Sequence, residues 1–359
     1  MEKKEKAILV GVKFKNDLLP LSESLEELKR LVYSSGAETI AVLTQTKERP
    51  DSKYFIGSGK LKELQELLQG ENADLVIFDH ELSPSQARNL EEELRIKIVD
   101  RTELILDIFA QHAHTAEGRL QVELAQLDFM QTHLVGHGVA LSRLGGGIGT
   151  RGPGETKLET DRRIIRKRIS LLKKEIEKLG KKREVLRTRR KASDLKVAAL
   201  VGYTNSGKST LLNTLTDAKV LTQDKLFATL DPVTRRFYLD GKTILITDTV
   251  GFIQKLPHQL VDAFKSTLEE TIEADLLLNV VDVSSSYAEH QIEAVNRILS
   301  ELNVVATPMV YVFNKIDKES DECKLRELAA KYKPAVFISA LNGKGLDDLL
   351  KIASNRLGH

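Results

Sequence analysis

One stretch limits what this chain can fold into more than any other: Lys196-Val-Ala-Ala-Leu-Val-Gly-Tyr-Thr-Asn-Ser-Gly-Lys-Ser-Thr210. Gly202 to Ser209 fits the spacing G-x-x-x-x-G-K-[ST]; a β-branched apolar run precedes it and Thr210-Leu-Leu-Asn-Thr-Leu215 follows with an amphipathic helical pattern. Strand, loop and helix in that order are the setting in which such a loop holds phosphate. Glycines let backbone N–H groups converge on phosphate oxygens, the helix N-terminus adds a partial positive charge, and Lys208 adds a full one. The Ser209 hydroxyl is suited to Mg²⁺. The first candidate nucleotide-binding residues are therefore Gly202, Tyr203, Thr204, Asn205, Ser206, Gly207, Lys208 and Ser209.

From this loop onward, strand and helix patterns alternate. Strands are expected near 196–201, 235–240, 243–248, 276–282, 308–313 and 335–339, and helices near 209–216, 258–273, 286–301, 321–331 and 345–356. Asp240-Gly241 is a two-residue hairpin signal, so the second and third strands should be antiparallel. The expectation for 195–359 is a P-loop GTPase domain with a six-stranded mixed sheet and its ligand at the carboxyl ends of the strands.

Four further elements follow in the order a guanine-nucleotide site needs. Phe227-Ala228-Thr229-Leu230-Asp231 lies between the first helix and second strand, with Thr229 as the switch threonine on Mg²⁺ and the γ-phosphate. Asp248-Thr249-Val250-Gly251 ends the third strand; Asp248 would hold the metal through water and the Gly251 N–H would bond the γ-phosphate. Asn314-Lys315-Ile316-Asp317 ends the fifth strand, and the Asp317 carboxylate would accept from guanine N1–H and N2–H₂. Adenine would leave that acceptor unpaired, at a cost of about 1–3 kcal/mol. Ser339-Ala340-Leu341 ends the sixth, with the Ala340 N–H over guanine O6. Lys208, Thr229 and Gly251 are the candidates for the catalytic step. The residue after Gly251 is Phe252, where many GTPases carry the glutamine that orients the attacking water. Phenylalanine cannot hydrogen-bond that water, so intrinsic hydrolysis should be slow and depend on an outside partner. Asn205 raises a second expectation, a K⁺ held near the β/γ bridge.

Residues 1–100 also alternate, with strand runs at Ala7–Val12, Thr39–Leu43, Asp74–Phe78 and Ile96–Val99 and helix candidates near 22–34, 60–69 and 84–94. This reads as a small open α/β domain with a mostly parallel sheet. Ser22, Ser58 and Ser83 sit near helix starts, and Pro84 suits a first helical position. Tyr54-Phe-Ile-Gly-Ser-Gly-Lys60 resembles a second phosphate loop but has the wrong spacing. A glycine turn into a helix is expected there, with a phosphate or RNA contact as the alternative.

No strand pattern occurs in 101–191, and 101–194 is expected as a helical domain. Leu120, Leu124, Leu127 and Leu134 form one heptad seam; Ile165, Ile169, Leu172, Ile176, Leu179 and Leu186 form another. Two seams predict an antiparallel helical hairpin whose connector, 135–160, has six glycines between Gly145 and Gly154. The second seam is basic: residues 162–191 hold fifteen Lys and Arg against three Asp and Glu, a net +12 in a chain whose net charge is +2. A glycine-arginine loop at the tip of a basic rod suits an anionic partner, where glycine backbone approaches RNA closely and arginine meets phosphates or bases. The candidate RNA-contact residues are Arg143, Gly145, Gly146, Gly147, Gly149, Arg151, Gly152 and Lys157. A plain flexible linker is the competing reading. His112 with His114, and His133 with His137, lack acidic or cysteine partners at metal-site spacing and read as surface or packing histidines.

The single cysteine, Cys323, excludes an internal disulfide. No apolar run approaches membrane-spanning length, and no signal-peptide core follows Met1, so a cytoplasmic protein is expected; a monomer is expected as well.

The chain resembles the HflX family of translational GTPases. The likeness rests on Gly-Tyr-Thr-Asn-Ser-Gly-Lys-Ser-Thr (202–210), Phe-Ala-Thr-Leu-Asp-Pro (227–232) with Asp-Thr-Val-Gly-Phe (248–252), and the run from Gly145 to Asp161; Tyr54 to Lys60 also resembles a family element. The resemblance implies a GTPase that binds the large ribosomal subunit and its rRNA, and in several members separates stalled ribosomes into subunits under stress. It also implies that the helical hairpin carries its glycine-rich loop toward the peptidyl-transferase centre, and it leaves peripheral membrane association open. The alternative class is an rRNA-binding assembly or storage factor in which GTP only gates affinity.

Overall fold

The computed structural model describes residues 4–15, 17, 20–133, 157–192, 195–216, 225–227, 229–255, 265–304, 306–319 and 321–358. They form two compact units, Met1–Gln111 with Arg119–Glu177, and His112–Gly118 with Lys178–His359.

The first unit alternates strictly: β1 (Lys6–Phe14), α1 (Leu21–Ser35), β2 (Glu38–Lys47), α2 (Ser58–Glu71), β3 (Leu75–Phe78), α3 (Pro84–Leu94), β4 (Lys97–Asp100) and α4 (Arg101–His112). Its sheet has the order β2-β1-β3-β4 and every pair is parallel. Parallel strands covered by helices read as continuous apolar runs, and Leu75–Phe78 is buried at all four positions. Ile8, Val10, Leu64, Val76, Phe78 and Leu90 build the core on one face. Of the three serines near helix starts, only Ser83 caps. Its Oγ accepts from the Gln86 N–H at 3.3 Å, the Gln86 Oε1 accepts from the Ser83 N–H at 3.0 Å, and Pro84 is the first helical residue. α1 and α2 start after Pro20 and Gly57 with no side-chain cap, so Ser22 and Ser58 lie inside their first turns.

α5 (Ala116–His133) and α6 (Lys157–Ala192) follow. Leu124, Ile165, Ile169 and Leu172 are buried together, with Leu120, Leu127 and Ile176 packed against them. The two heptad seams therefore meet. Glu117 pairs with Arg183 and Glu123 with Arg168, so position rises on one helix as it falls on the other, and the helices are antiparallel. His133 stacks on Phe129 at 4.0 Å between ring centroids. Leu134, His137 and the glycine-rich loop with Arg143, Gly145, Gly146, Gly147, Gly149, Arg151 and Gly152 lie outside the described residues, as do the side chains of Lys157 and Leu186.

The second unit continues with β5 (Val197–Gly202), α7 (Lys208–Thr216), β6 (Val233–Leu239), β7 (Lys242–Asp248), α8 (Lys265–Ile272), β8 (Leu276–Asp282), α9 (Ala288–Glu301), β9 (Met309–Asn314), α10 (Glu322–Lys331), β10 (Ala335–Phe337) and α11 (Leu346–Leu357). Its sheet has six strands in the order β10-β9-β8-β5-β7-β6, and β6 alone runs antiparallel to its neighbour. Asp240 and Gly241 both have positive φ, 46° and 81°, which is the two-residue turn whose twist matches the strands it joins. Ala198, Leu200, Ile246, Leu278, Val280 and Val312 form the centre of the core. β5, β7, β8 and β9 end on the same side of this sheet, because they are parallel, and the loops after them make the site.

Candidate nucleotide site

The loop from β5 to α7 is held by close backbone packing. Gly207 has a φ of +98°, and a side chain there would run into the Asn314 amide, whose Nδ2 donates to the Ser206 carbonyl at 2.9 Å. Gly251 is packed as tightly: a Cβ would lie 2.8 Å from Thr204 Cα and 3.0 Å from Lys208 Nζ. The loop after β7 is thus pressed onto the glycine loop. Its Phe252 N–H donates to the Gly202 carbonyl at 3.1 Å, and the Thr204 N–H donates to the Phe252 carbonyl at 2.8 Å.

Lys208 is buried, with Nζ donating to the Gly202 and Tyr203 carbonyls at 3.1 and 2.7 Å. Burial pushes its ammonium down to about 8, while Asp248 pulls the other way. Asp248 is fully buried, and burial raises its carboxyl, against Lys208 and the hydroxyls of Ser209 and Thr229. Ser209 Oγ donates to Asp248 Oδ2 at 2.6 Å and lies 3.0 Å from Thr229 Oγ1. Among the described residues, Thr204 Oγ1, Ser206 Oγ and Asp248 Oδ1 are buried without a hydrogen-bond partner. Unsatisfied buried polar atoms beside a buried ammonium are costly unless a ligand completes them. Phosphate oxygens fit the hydroxyls and the ammonium. The oxygen donors of Ser209, Thr229 and Asp248 fit a hard divalent cation such as Mg²⁺.

Asn314 joins three loops. Besides its bond to Ser206, its Oδ1 accepts from the Ala340 N–H at 2.9 Å. Lys315 Nζ donates to the Asn205 carbonyl at 2.8 Å and to Asp282 Oδ2 at 2.6 Å, while Ser339 Oγ donates to Asp317 Oδ1 at 2.5 Å. The Ile316 N–H donates to the Ile338 carbonyl at 3.3 Å. Gly202 to Ser209, Asp248 to Gly251, Asn314 to Asp317, and Ser339 with Ala340 therefore converge, and Thr229 joins them through Ser209. Leu341 is 73% exposed, Thr249 gives its hydroxyl to the Leu200 carbonyl at 2.7 Å, and Val250 is in the core. Phe227 and Leu230 are buried on either side of Thr229, and Ala228 lies outside the described residues. Asp231 directs its carboxylate to the segment before α5: His114 N–H at 3.0 Å, Thr115 N–H at 2.9 Å and Thr115 Oγ1 at 2.5 Å. Phe252 is 1% exposed, so its ring is core.

Sequence reasoning passed over two participants. Asp282, the last residue of β8, was legible as an acid at a strand's carboxyl end; its partner Lys315 needed the sheet order β9-β8-β5 to bring it near. Gln254 was the other, its N–H donating to the Tyr203 hydroxyl at 2.9 Å, a contact with no short-range signal.

A mixed sheet of this order, with these loops at its carboxyl end, defines a P-loop GTPase. Three family models match in succession: "GTP-binding GTPase N-terminal" over 22–110, "GTP-binding GTPase Middle Region" over 112–190, and "50S ribosome-binding GTPase" over 197–315. The GTPase HflX of Caldanaerobacter subterraneus subsp. tengcongensis is 52% identical over 355 residues, covering 99% of this chain and 81% of that protein. That of Escherichia coli K12 is 47% identical over 356 residues, covering 98% and 83%. A GTP-binding protein from the archaeon Sulfolobus solfataricus, solved in complex with GDP, is 26% identical with a TM-score of 0.50 over 98% of each chain. The chain belongs to the HflX family of GTPases, and GTP hydrolysis is its reaction.

Proposed function

We propose that this GTPase binds the large ribosomal subunit through its rRNA and, in the GTP state, separates stalled ribosomes into subunits. The observation that carries the ribosomal part is the net +12 of residues 162–191 on α6, beside a glycine-arginine loop, in a chain of net +2. Phosphate contacts made by such a field give affinity and orientation. The family model described as a 50S ribosome-binding GTPase, matched over 197–315, supports the same partner.

At the nucleotide, Gly202 to Ser209 hold the phosphates and Lys208 offsets charge on the β- and γ-oxygens. Ser209 and Thr229 would hold a Mg²⁺ directly and Asp248 would hold it through water, and the ion would supply positive charge against that developing on the transferred phosphoryl group. Gly251 N–H bonds the γ-phosphate, and Asp317 with Ala340 reads guanine. Catalysis here is placement and electrostatics, since phosphoryl transfer asks little covalent chemistry of the protein. Phe252 supplies no hydrogen bond to the attacking water, so the free protein is slow and the ribosome completes the site. A K⁺ beside Asn205 would add charge at the β/γ bridge; equal turnover in K⁺ and Na⁺ would dispose of that part.

The experiment is a sucrose gradient of intact ribosomes with this protein and a non-hydrolysable GTP analogue. Conversion of the 70S peak to subunits is expected. Binding to the large subunit with an unchanged 70S peak would instead favour an assembly or storage role. Replacing residues 143–154 by a short neutral linker should abolish both binding and splitting.

A further inference from the structure

Asp231, which the sequence groups with the switch segment of the nucleotide site, stands two residues beyond the switch threonine. Its carboxylate accepts three hydrogen bonds from the strap that leads into α5: the His114 and Thr115 N–H groups and the Thr115 hydroxyl, at 3.0, 2.9 and 2.5 Å. Thr115 is also the cap of that helix, its Oγ1 accepting from the Gly118 N–H at 2.9 Å. One hydroxyl therefore donates to the carboxylate and accepts from the first turn, and both partners are satisfied. Three donors on one carboxylate at a helix N-terminus form an arrangement in which charge, hydrogen bonding and the helix dipole act together. The fit is close. A Cβ at Gly118 would overlap Asp231 Oδ1, so the absence of a side chain at 118 is what lets the carboxylate in.

The other end of this short segment is at the metal donors. Thr229 Oγ1 lies 3.0 Å from Ser209 Oγ, and Ser209 donates to Asp248 at 2.6 Å. Leu230, between Thr229 and Asp231, is 1% exposed, and β6 starts at Val233. Thr229 thus sits two residues from a fixed point, with little slack in the backbone between them. The strap His112–Gly118 and the GTPase core belong to the same compact unit.

We infer that Asp231 is a positioning residue: its anchorage on the Thr115 cap holds Thr229 in place for the metal and γ-phosphate, and makes the first turn of α5 part of the nucleotide switch. This rests on the reading of Thr229 as the switch threonine. The test uses the full chain and four variants, Asp231→Ala, Thr115→Val, Gly118→Ala and Thr115→Ser, with Thr229→Ala as a control. The readouts are single-turnover GTP hydrolysis, KM for GTP, the Mg²⁺ concentration for half-maximal rate, and GDP affinity. The first three variants should lower kcat roughly ten- to a hundredfold, as a displaced group does, and raise the Mg²⁺ requirement. GDP affinity should stay within about twofold, since GDP does not use Thr229. Thr115→Ser keeps the hydroxyl and should retain wild-type kcat. Unchanged kcat in Asp231→Ala, Thr115→Val and Gly118→Ala, with a fall in Thr229→Ala, overturns the anchor while leaving the switch reading intact. Loss of GDP affinity in step with kcat also overturns it, since that marks a merely structural contact. If Thr229→Ala itself has normal kcat, the switch reading is what fails.

Discussion

Each sheet of this protein sends a glycine-bearing turn into a helix that carries a lysine. In the first unit the turn is Gly57-Ser-Gly-Lys60, at the start of α2; in the second it is Gly202 to Lys208, at the start of α7. Around Gly57 the polar groups are already matched. Gln45 Oε1 accepts from the Gly57 N–H at 3.0 Å, Asp51 Oδ1 accepts from the Lys53 and Tyr54 N–H groups, and Lys60 pairs with Glu63 at 2.7 Å on the surface. Around Lys208 they are matched only in part: the buried ammonium donates to two carbonyls, but Thr204 Oγ1 and Ser206 Oγ have no partner among the described residues. Spacing separates the two turns in sequence, but the physical difference is the hydrogen-bonding capacity each leaves for a ligand. The same contrast holds for buried charge. In the first unit Arg101 donates to Asp79 at 2.8 Å and Ser24 to the other oxygen at 2.6 Å, and Glu27 also meets Arg101, so those charges answer one another. In the second, Lys208 and Asp248 feel each other's charge, yet Asp248 Oδ1 is buried with no hydrogen-bond partner among the described residues.

Breaking the contrast should therefore cost stability in one unit and chemistry in the other. Arg101→Met leaves Asp79 buried without its cation and should destabilise the first unit by about 3–5 kcal/mol, read by denaturant unfolding. GTP affinity below the transition should not change. Lys208→Ala should lower kcat by about 10²–10³, read in single turnover, with the fold intact by circular dichroism. Lys60→Ala should leave turnover untouched; a comparable loss there would erase the distinction between the turns. Asp317→Ala should weaken GTP by about 1–3 kcal/mol while ATP binding stays where it was, measured by competition with a fluorescent nucleotide.

The smallest effect concerns Glu103. Burial raises its carboxyl to about 7, and Asp100 beside it pushes the same way. A carboxyl with a raised folded-state pKa stabilises fully below its unfolded value of about 4.5, and that contribution is lost as pH climbs through 7. Glu103→Gln should then raise the Tm by a few degrees at pH 8 and leave it unchanged near pH 4.5. A Tm that rises equally at both would locate the gain elsewhere.

Much of this was open to reading from the chain. The β5 loop, the Asp248 and Asn314 elements and the Asp240-Gly241 turn carry short-range spacing, and local spacing is what a single sequence preserves. The heptad residues Leu124, Ile165 and Ile169 announced a helix pair for the same reason. The tie from Asp231 to Thr115 spans 116 residues and has no periodicity, so it needed the folded chain. Asn314 was legible as part of a guanine motif, but its role as a brace between Ser206 and Ala340 emerges only when three loops meet. Helix starts were partly misleading. Serine before a helix is a good capping signal, yet Pro20 and Gly57 took those positions from Ser22 and Ser58.

In the proposed function GTP hydrolysis is slow in the free protein, where Phe252 is core and offers the attacking water no hydrogen bond, and fast on the large ribosomal subunit. It is tested most directly by GTP turnover of the full chain with and without purified large subunits, at matched salt because phosphate contacts are salt-sensitive. A rise of at least about tenfold that disappears in Lys208→Ala is expected. Equal turnover with and without the subunits would contradict it.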